Sequence, residues 1–260
     1  MIIVTQGDAA NLPFPDDSID CIVTSPPYNV GIEYAGYHDR KPWMEYLKLA
    51  TDACNEMARV LVPGGRVWLN VPAAIPFFNA EMKATPWRAA VADVWSSRLG
   101  EAGLSYRDTI AWIQDSHDGA CAWGSWLSPS APNLRGGWES ILLWFKESDD
   151  KRNCWKRPAP PGYENWSAPR RELGGDWPDL CRNVWYLAPS RSKDSPAAFP
   201  LDLPARCIRL GTWPGQTVLD PFGGSGTTAE AAHVLGRVGI SLDCSREQTR
   251  KTADRLTYLF

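Results

Sequence analysis

Two short strings hold residue types that can do chemistry. In "TSPPY", residues 24–28, a strand that begins with apolar residues runs into two consecutive prolines. Neither Pro26 nor Pro27 can donate to a sheet ladder, so the strand stops there. A residue before proline is pushed to an extended conformation, which stiffens Ser25 and Pro26. The result is a rigid loop of carbonyls carrying the Ser25 hydroxyl and the Tyr28 ring at the tip of a strand. In "TVLDPFGGSGTT", residues 217–228, a strand ends at Asp220, a glycine-rich turn follows and a helix opens near Thr227. Glycines at the carboxyl end of a strand let a ligand approach the backbone closely. No GxxxxGK[ST] is present, which disfavours a nucleoside triphosphate. "VGISLDCS" then puts Asp243 at the tip of the following strand, where an acid accepts from ribose hydroxyls. Glycine turn plus acid points to an adenosine-containing cofactor.

The elements that must position these strings alternate. "MIIVTQGD" and "DCIVTS" read as strands, "WMEYLKLATDACNEMARVL" as a helix terminated by "PGG", and "RVWLNV" as a third strand. "WRAAVADVWSSRLGEAGL" is a second helix ended by Gly103, followed by the strands "YRDTIAWI" and "SILLWF". After the glycine turn come the helix "TTAEAAHVLG", the strand "VGISLD" and the helix "SREQTRKTADRLTYL". Such alternation predicts a mostly parallel sheet covered on both faces. Between Gln114 and Glu139, and from Glu147 to about Ala198, the periodicity dissolves into Pro, Gly, Ser, Trp and Arg.

At 260 residues and 44% hydrophobic the chain is long enough for one α/β domain with an insertion, or for two small domains. A net charge of -3 does not announce a nucleic-acid binder. Charge is nonetheless uneven: from Arg135 to Lys193 eleven Lys or Arg stand against eight Asp or Glu, and elsewhere sixteen stand against twenty-two. Seven cysteines without a CxxC pair, and only three histidines, predict reduced thiols and no metal site. No leader is expected, and no run approaches the ~18 apolar residues of a membrane span. A cytoplasmic protein without membrane contact is the expectation.

Together the two motifs resemble the S-adenosylmethionine-dependent DNA amino-methyltransferases, which methylate exocyclic amines of cytosine or adenine. "TSPPY" is similar to the family's catalytic (D/N/S)PP(Y/F) loop and "DPFGGSGTT" to its cofactor loop; "FPLDLPARCIRLGTWPGQ" resembles the segment before that loop. The family often carries a histidine shortly before this FP, where Asp194 and Ser195 stand here. With the catalytic loop first, the motif order is that of the β group. The resemblance implies an α/β, Rossmann-like class I methyltransferase sheet, circularly permuted, with an irregular target-recognition insertion. Expected divisions are a catalytic half at 1–114, a recognition region at 115–195 interrupted by a core strand near 139–146, and a cofactor half at 196–260.

Roles follow from the resemblance. Ser25 and the Pro26 carbonyl accept from the target amino group, Pro27 helps hold the loop, and Tyr28 stacks on a base flipped out of the duplex. S-adenosyl-L-methionine is held by Asp220, Phe222, Gly223, Gly224, Ser225, Gly226 and Thr227 around its methionine half, by Asp243 at the ribose and by Asp8 at the adenine. Asp8 reads equally as a turn aspartate, Phe222 as core, and Phe199, Pro200 and Leu203 as an apolar wall or as core. Ser in the first loop position favours cytosine N4; adenine N6 is the alternative. Double-stranded DNA is the expected partner, read by tryptophans 123, 126, 138, 155, 166, 177 and 185 and arginines 135, 152, 157, 170, 171, 182 and 191, although a small aromatic core is the plainer reading for most of them. A cognate restriction endonuclease and a homodimer stay open. Rival readings are a catalytically silent DNA-binding or partner subunit, and an enzyme acting on RNA or single strands.

Overall fold

Alternation within the strands decides the architecture. The computed structural model describes residues 1–34, 37–78, 83–114, 130, 137–190 and 199–259. In β1 (Ile2–Gln6) and β2 (Ile19–Thr24) the chain makes its first two strands, and the small hairpin β3 (Glu33–Tyr34) and β4 (Tyr37–His38) follows. Ile22 of β2 packs into one core, while its neighbours Cys21 and Val23 pack into another. Side chains alternate across a sheet, so a strand that is apolar at every position must be covered on both faces.

The first cover is α1 (Trp43–Val60), whose Tyr46, Ala50, Ala53, Cys54 and Met57 form a buried stripe at helical spacing. β5 (Leu61–Pro72) begins on the next residue. The Gly64–Gly65 pair therefore does not end the helix, contrary to the expectation. Leu61 is already extended, and Pro63 forces Val62 the same way. The glycines instead lie in a register shift of β5 against β2, between the pairs Ile19–Leu61 and Cys21–Arg66. β6 (Ile75–Phe78) and β7 (Ala84–Ala89) form a hairpin that takes Trp87, Arg88 and Ala89 out of the expected second helix. α2 (Val91–Glu101) accordingly starts later than its periodicity suggested, then β8 (Ser105–Ile113) and β9 (Trp138–Phe145) return to the sheet.

The segment expected to be irregular carries a hairpin, β10 (Arg171–Glu172) with β11 (Gly175–Asp176), the short α3 (Trp177–Leu180) and β12 (Val184–Tyr186). Beyond it lie α4 (Asp202–Gly211), β13 (Thr217–Asp220), α5 (Thr227–Val234), β14 (Val238–Asp243) and α6 (Arg246–Leu256). Eight strands form one sheet in the order β1-β14-β13-β2-β5-β9-β8-β12. All neighbours are parallel except β9, which runs against both β5 and β8. One core holds α1 and α2 against the sheet; the other holds α4 and α5. Gly239 lets α5 lie tightly on β14, since a Cβ there would come within 2.5 Å of the Ala229 carbonyl oxygen. No described helix is long and apolar enough to cross a membrane.

β12 was not foreseen. It adds to the sheet beside β8 and carries Trp185 fully into the second core. The region between residues 115 and 195 thus supplies the sheet with both β9 and β12.

Candidate functional site

The two motif loops leave the carboxyl ends of adjacent parallel strands. β2 pairs with β13 through Cys21–Val218 and Ile22–Leu219. Beside β13 the chain order of the sheet reverses, and in open α/β sheets ligands bind at that place. Gly226, left-handed at φ 79°, turns the second loop into α5, and Gly223 lies so close to Ser241 that a Cβ would reach 2.0 Å from its Oγ.

A cleft of about 780 Å³ opens along this edge, a size suited to a small organic ligand. Asp8, Ser25, Pro27, Phe222, Gly224 and Asp243 all line it, so both motifs face one space. Gln6, Lys41, Lys48, Cys244, Gln248 and Lys251 complete much of its wall and were not anticipated. Asp243 accepts from Gly224 N at 3.1 Å and from Ser245 N at 2.8 Å. Burial pushes its carboxyl up, against the pull of those two amides. A carboxylate has about four lone-pair sites, so two remain for further donors. Asp8 caps its own turn, accepting from Ala10 N at 2.9 Å, while it faces the cleft. Phe222 faces the cleft too, and sets its ring edge-on to Trp95 at 6.4 Å.

Other expected cofactor residues sit behind this wall. Asp220 is buried and accepts from Thr24 Oγ1 at 2.6 Å, Phe222 N at 3.1 Å and Thr228 Oγ1 at 3.0 Å. Burial raises its carboxyl to about 6 despite those donors. Gly223 and Gly226 shape the turn, and the Ser225 and Thr227 hydroxyls bond each other at 3.0 Å. Phe199 and Leu203 lie in the core on the α4 side of the sheet, and the Pro200 carbonyl accepts from Leu203 N at 3.0 Å. Phe199 packs as core, not as cleft wall.

The first loop is held from several directions. Tyr46 Oη donates to the Pro27 carbonyl at 3.2 Å and itself accepts from Trp95 Nε1 at 3.0 Å. Pro26 is buried and, unlike Ser25 and Pro27 on either side of it, does not line the cleft; no described group donates to its carbonyl. After Tyr28 the chain takes a left-handed residue, Asn29 at φ 60°. Asp39 fixes it there: its carboxylate accepts from the amides of Asn29, Val30 and Ile32 at 2.8–3.2 Å. Burial pushes the Asp39 carboxyl up while those amides pull it down.

A second carboxylate reaches the loop from across the sheet. Because β9 runs antiparallel, its first residues stand at the carboxyl edge, and Glu139 pairs with Pro72 and Trp112. Glu139 accepts from Tyr28 Oη at 2.9 Å, Asn70 Nδ2 at 2.7 Å and Gln114 Nε2 at 2.8 Å, and Ser25 Oγ lies 2.7 Å from Tyr28 Oη. Asp39, Asn70, Gln114 and Glu139 escaped the sequence reading. Asn70 and Glu139 did leave a signal, as polar residues interrupting the apolar strands "VWLNV" and "WESILLWF".

The proposed DNA-reading residues separate. Trp185 is core, and Arg157 pairs with Asp20 in a half-buried contact. Trp155, Trp166 and Trp177 each hold a guanidinium near the ring face, from Arg107, Arg237 and Arg209. Trp138 is exposed, as are Arg152, Arg170, Arg171 and Arg182. Trp123, Trp126, Arg135 and Arg191 lie outside the described residues. Among the described residues no cluster of His, Cys, Asp or Glu could hold a metal.

A seven-strand methyltransferase sheet of class I, extended by β12 and carrying a ligand cleft at its carboxyl edge, is the class this architecture defines. The chain belongs to the DNA methylase family of N6 and N4 amino-methyltransferases, whose model matches residues 19–254. It is 35% identical to the type II methyltransferase M.MjaVI of Methanocaldococcus jannaschii over 147 residues, covering 56% of this chain and 72% of that protein. To M.BglII of Bacillus subtilis it is 28% identical, over 94% of this chain and 66% of that protein. In fold it resembles the Thermus thermophilus protein TTHA0409 in complex with S-adenosyl-L-methionine, with a TM-score of 0.74, 24% identity, and 99% and 94% of the two chains covered. The cytosine-N4-specific PvuII DNA methyltransferase follows at a TM-score of 0.67 and 21% identity, over 98% of this chain and 87% of that one.

Proposed function

We propose that this DNA methyltransferase transfers the methyl group of S-adenosyl-L-methionine to the N4 nitrogen of a cytosine flipped out of double-stranded DNA at a specific sequence. The observation that carries the reading is the single cleft onto which Ser25, Pro27, Phe222, Gly224 and Asp243 all open. When bound, the cofactor supplies an electrophilic sulfonium methyl group. Asp243, with two lone-pair sites beyond its amide bonds, suits the ribose hydroxyls, and Asp8, on the same cleft, suits the adenine amino group. Gly224, where a Cβ would meet nothing closer than ordinary van der Waals contact, leaves room for the cofactor beside them.

An exocyclic amino nitrogen is a poor nucleophile because its lone pair is delocalised into the ring. Acceptors on its two N–H bonds favour a more tetrahedral, localised nitrogen. Ser25 Oγ and the Pro26 carbonyl are such acceptors, held by stiff prolines and by Asp39 and Tyr46. Tyr28 offers its ring to the base, and the proton is lost after attack. Ser25 in the first loop position supports cytosine, and PvuII methyltransferase, a fold neighbour, is cytosine-N4-specific. Adenine N6 is the second reading, because the loop addresses an amino group that both bases carry. The test is transfer of labelled methyl groups to duplex DNA by wild type and Ser25→Ala. The wild type transfers and the variant binds cofactor but turns over poorly; equal turnover overturns the catalytic assignment.

A further inference from the structure

Among the described residues, the bonds that join Ser25, Tyr28, Asn70 and Glu139 favour one direction of donors. Glu139, as a carboxylate, has no hydrogen to give. Tyr28 has one, and its Oη lies 2.9 Å from Glu139 Oε2, so that hydrogen goes to Glu139. Asn70 Nδ2 donates to the same Tyr28 oxygen at 2.9 Å and to Glu139 Oε2 at 2.7 Å. With its hydrogen spent, Tyr28 Oη can only accept from Ser25 Oγ, 2.7 Å away. The Ser25 hydrogen therefore points to Tyr28 and its lone pairs are left for the cleft. The Asn70 carboxamide faces the same way. Its NH2 is turned to Glu139 and Tyr28 although this leaves Asn70 Oδ1 buried with no partner among the described residues.

We propose that Glu139 is a positioning residue that fixes the direction of this chain, so that Ser25 presents only lone pairs to the amino group of the target base. This deepens the proposed function and rests on its reading of Ser25. A free serine hydroxyl turns its hydrogen either way, and an O–H aimed at an N–H donor would oppose binding of the reactive geometry. Glu139 acts from β9, on the far side of β5 from the loop, and reaches Ser25 through the Tyr28 oxygen.

The test is a double-mutant cycle in the full chain, reading kcat, DNA KM and cofactor affinity separately. Glu139→Ala frees the Tyr28 hydrogen and lowers kcat about tenfold, the worth of roughly one correctly aimed hydrogen bond, with KM and cofactor affinity nearly unchanged. Glu139→Gln restores most of the rate. Its carboxamide oxygen can face Tyr28 while its NH2 meets the Gln114 carboxamide turned over. Tyr28→Phe loses about as much as Glu139→Ala, and the double variant loses no more than Tyr28→Phe alone. Glu139→Leu replaces the alanine variant should the smaller side chain unfold the protein. A wild-type kcat in Glu139→Ala, multiplying losses in the double variant, or a glutamine variant as slow as the alanine one each overturn the proposal. Normal turnover by Ser25→Ala instead overturns the reading of the loop itself, whatever Glu139 does.

Discussion

Thr24 and Asp220 stand 196 residues apart, yet the Thr24 hydroxyl donates to Asp220 Oδ1 at 2.6 Å. Each is the last residue of its strand, so this bond ties the start of the SPPY loop to the start of the glycine turn. Thr228 Oγ1 holds the other carboxylate oxygen and also reaches the Val23 carbonyl. The two halves of the cleft are thus clipped together beneath its floor.

That clip makes stability depend on pH. Burial lifts the Asp220 carboxyl from 3.8 to about 6. Its contribution to stability is therefore fully present below about pH 4 and is lost as pH rises through about 6, where the folded state must hold a buried charge. The shift corresponds to about 3 kcal/mol. Asp220→Asn retains the oxygen facing Thr24 and Phe222 and removes the titration. Between pH 4.5 and 7.5, the urea midpoint of the wild type falls relative to that of the variant; parallel midpoints across that range contradict the account.

Cofactor binding and turnover separate by loop. Asp243→Ala removes the carboxylate facing the cleft and the anchor of Gly224, and weakens S-adenosylmethionine binding roughly 30-fold by calorimetry. Ser25→Ala leaves that affinity within about twofold while kcat falls, because no bond of Ser25 reaches the glycine turn.

Arginines in the middle of the chain divide by burial. Arg157 is tied to Asp20, so Arg157→Ala lowers stability by about 2–3 kcal/mol and leaves the salt dependence of DNA binding unchanged. Arg182 is largely exposed. Arg182→Ala reduces the slope of log DNA affinity against log salt by about one, measured by titration at several salt concentrations.

Trp185 belongs to the fold. It is fully buried between β8 and α4, with Nε1 donating to the Leu180 carbonyl at 3.2 Å. Trp185→Ala costs about 3–5 kcal/mol by denaturant unfolding, with any loss of DNA binding following the loss of folded protein.

The parallel strands and the two loops were legible in the sequence because local chemistry makes them. Apolar runs ending in Pro-Pro or Gly-Gly leave few alternatives. What stayed hidden depends on partners distant in the chain. β12 is three residues long and owes its place to β8, and only its pairing there decides between core and DNA contact for Trp185. Phe199 is apolar on either reading, and only the packing of α4 decides for the core. Glu139 reaches the catalytic loop because β9 runs against its neighbours, a reversal that no short string of residues announces.

The most direct test of the central claim is the identity of the methylated base. Mixed-sequence duplex DNA is incubated with labelled S-adenosylmethionine and the protein, then digested to nucleosides and analysed by mass spectrometry. The account predicts N4-methylcytosine, lost in Ser25→Ala. N6-methyladenine contradicts the assignment of cytosine, and no methylated nucleoside despite bound cofactor contradicts the assignment of a DNA amino group as the acceptor.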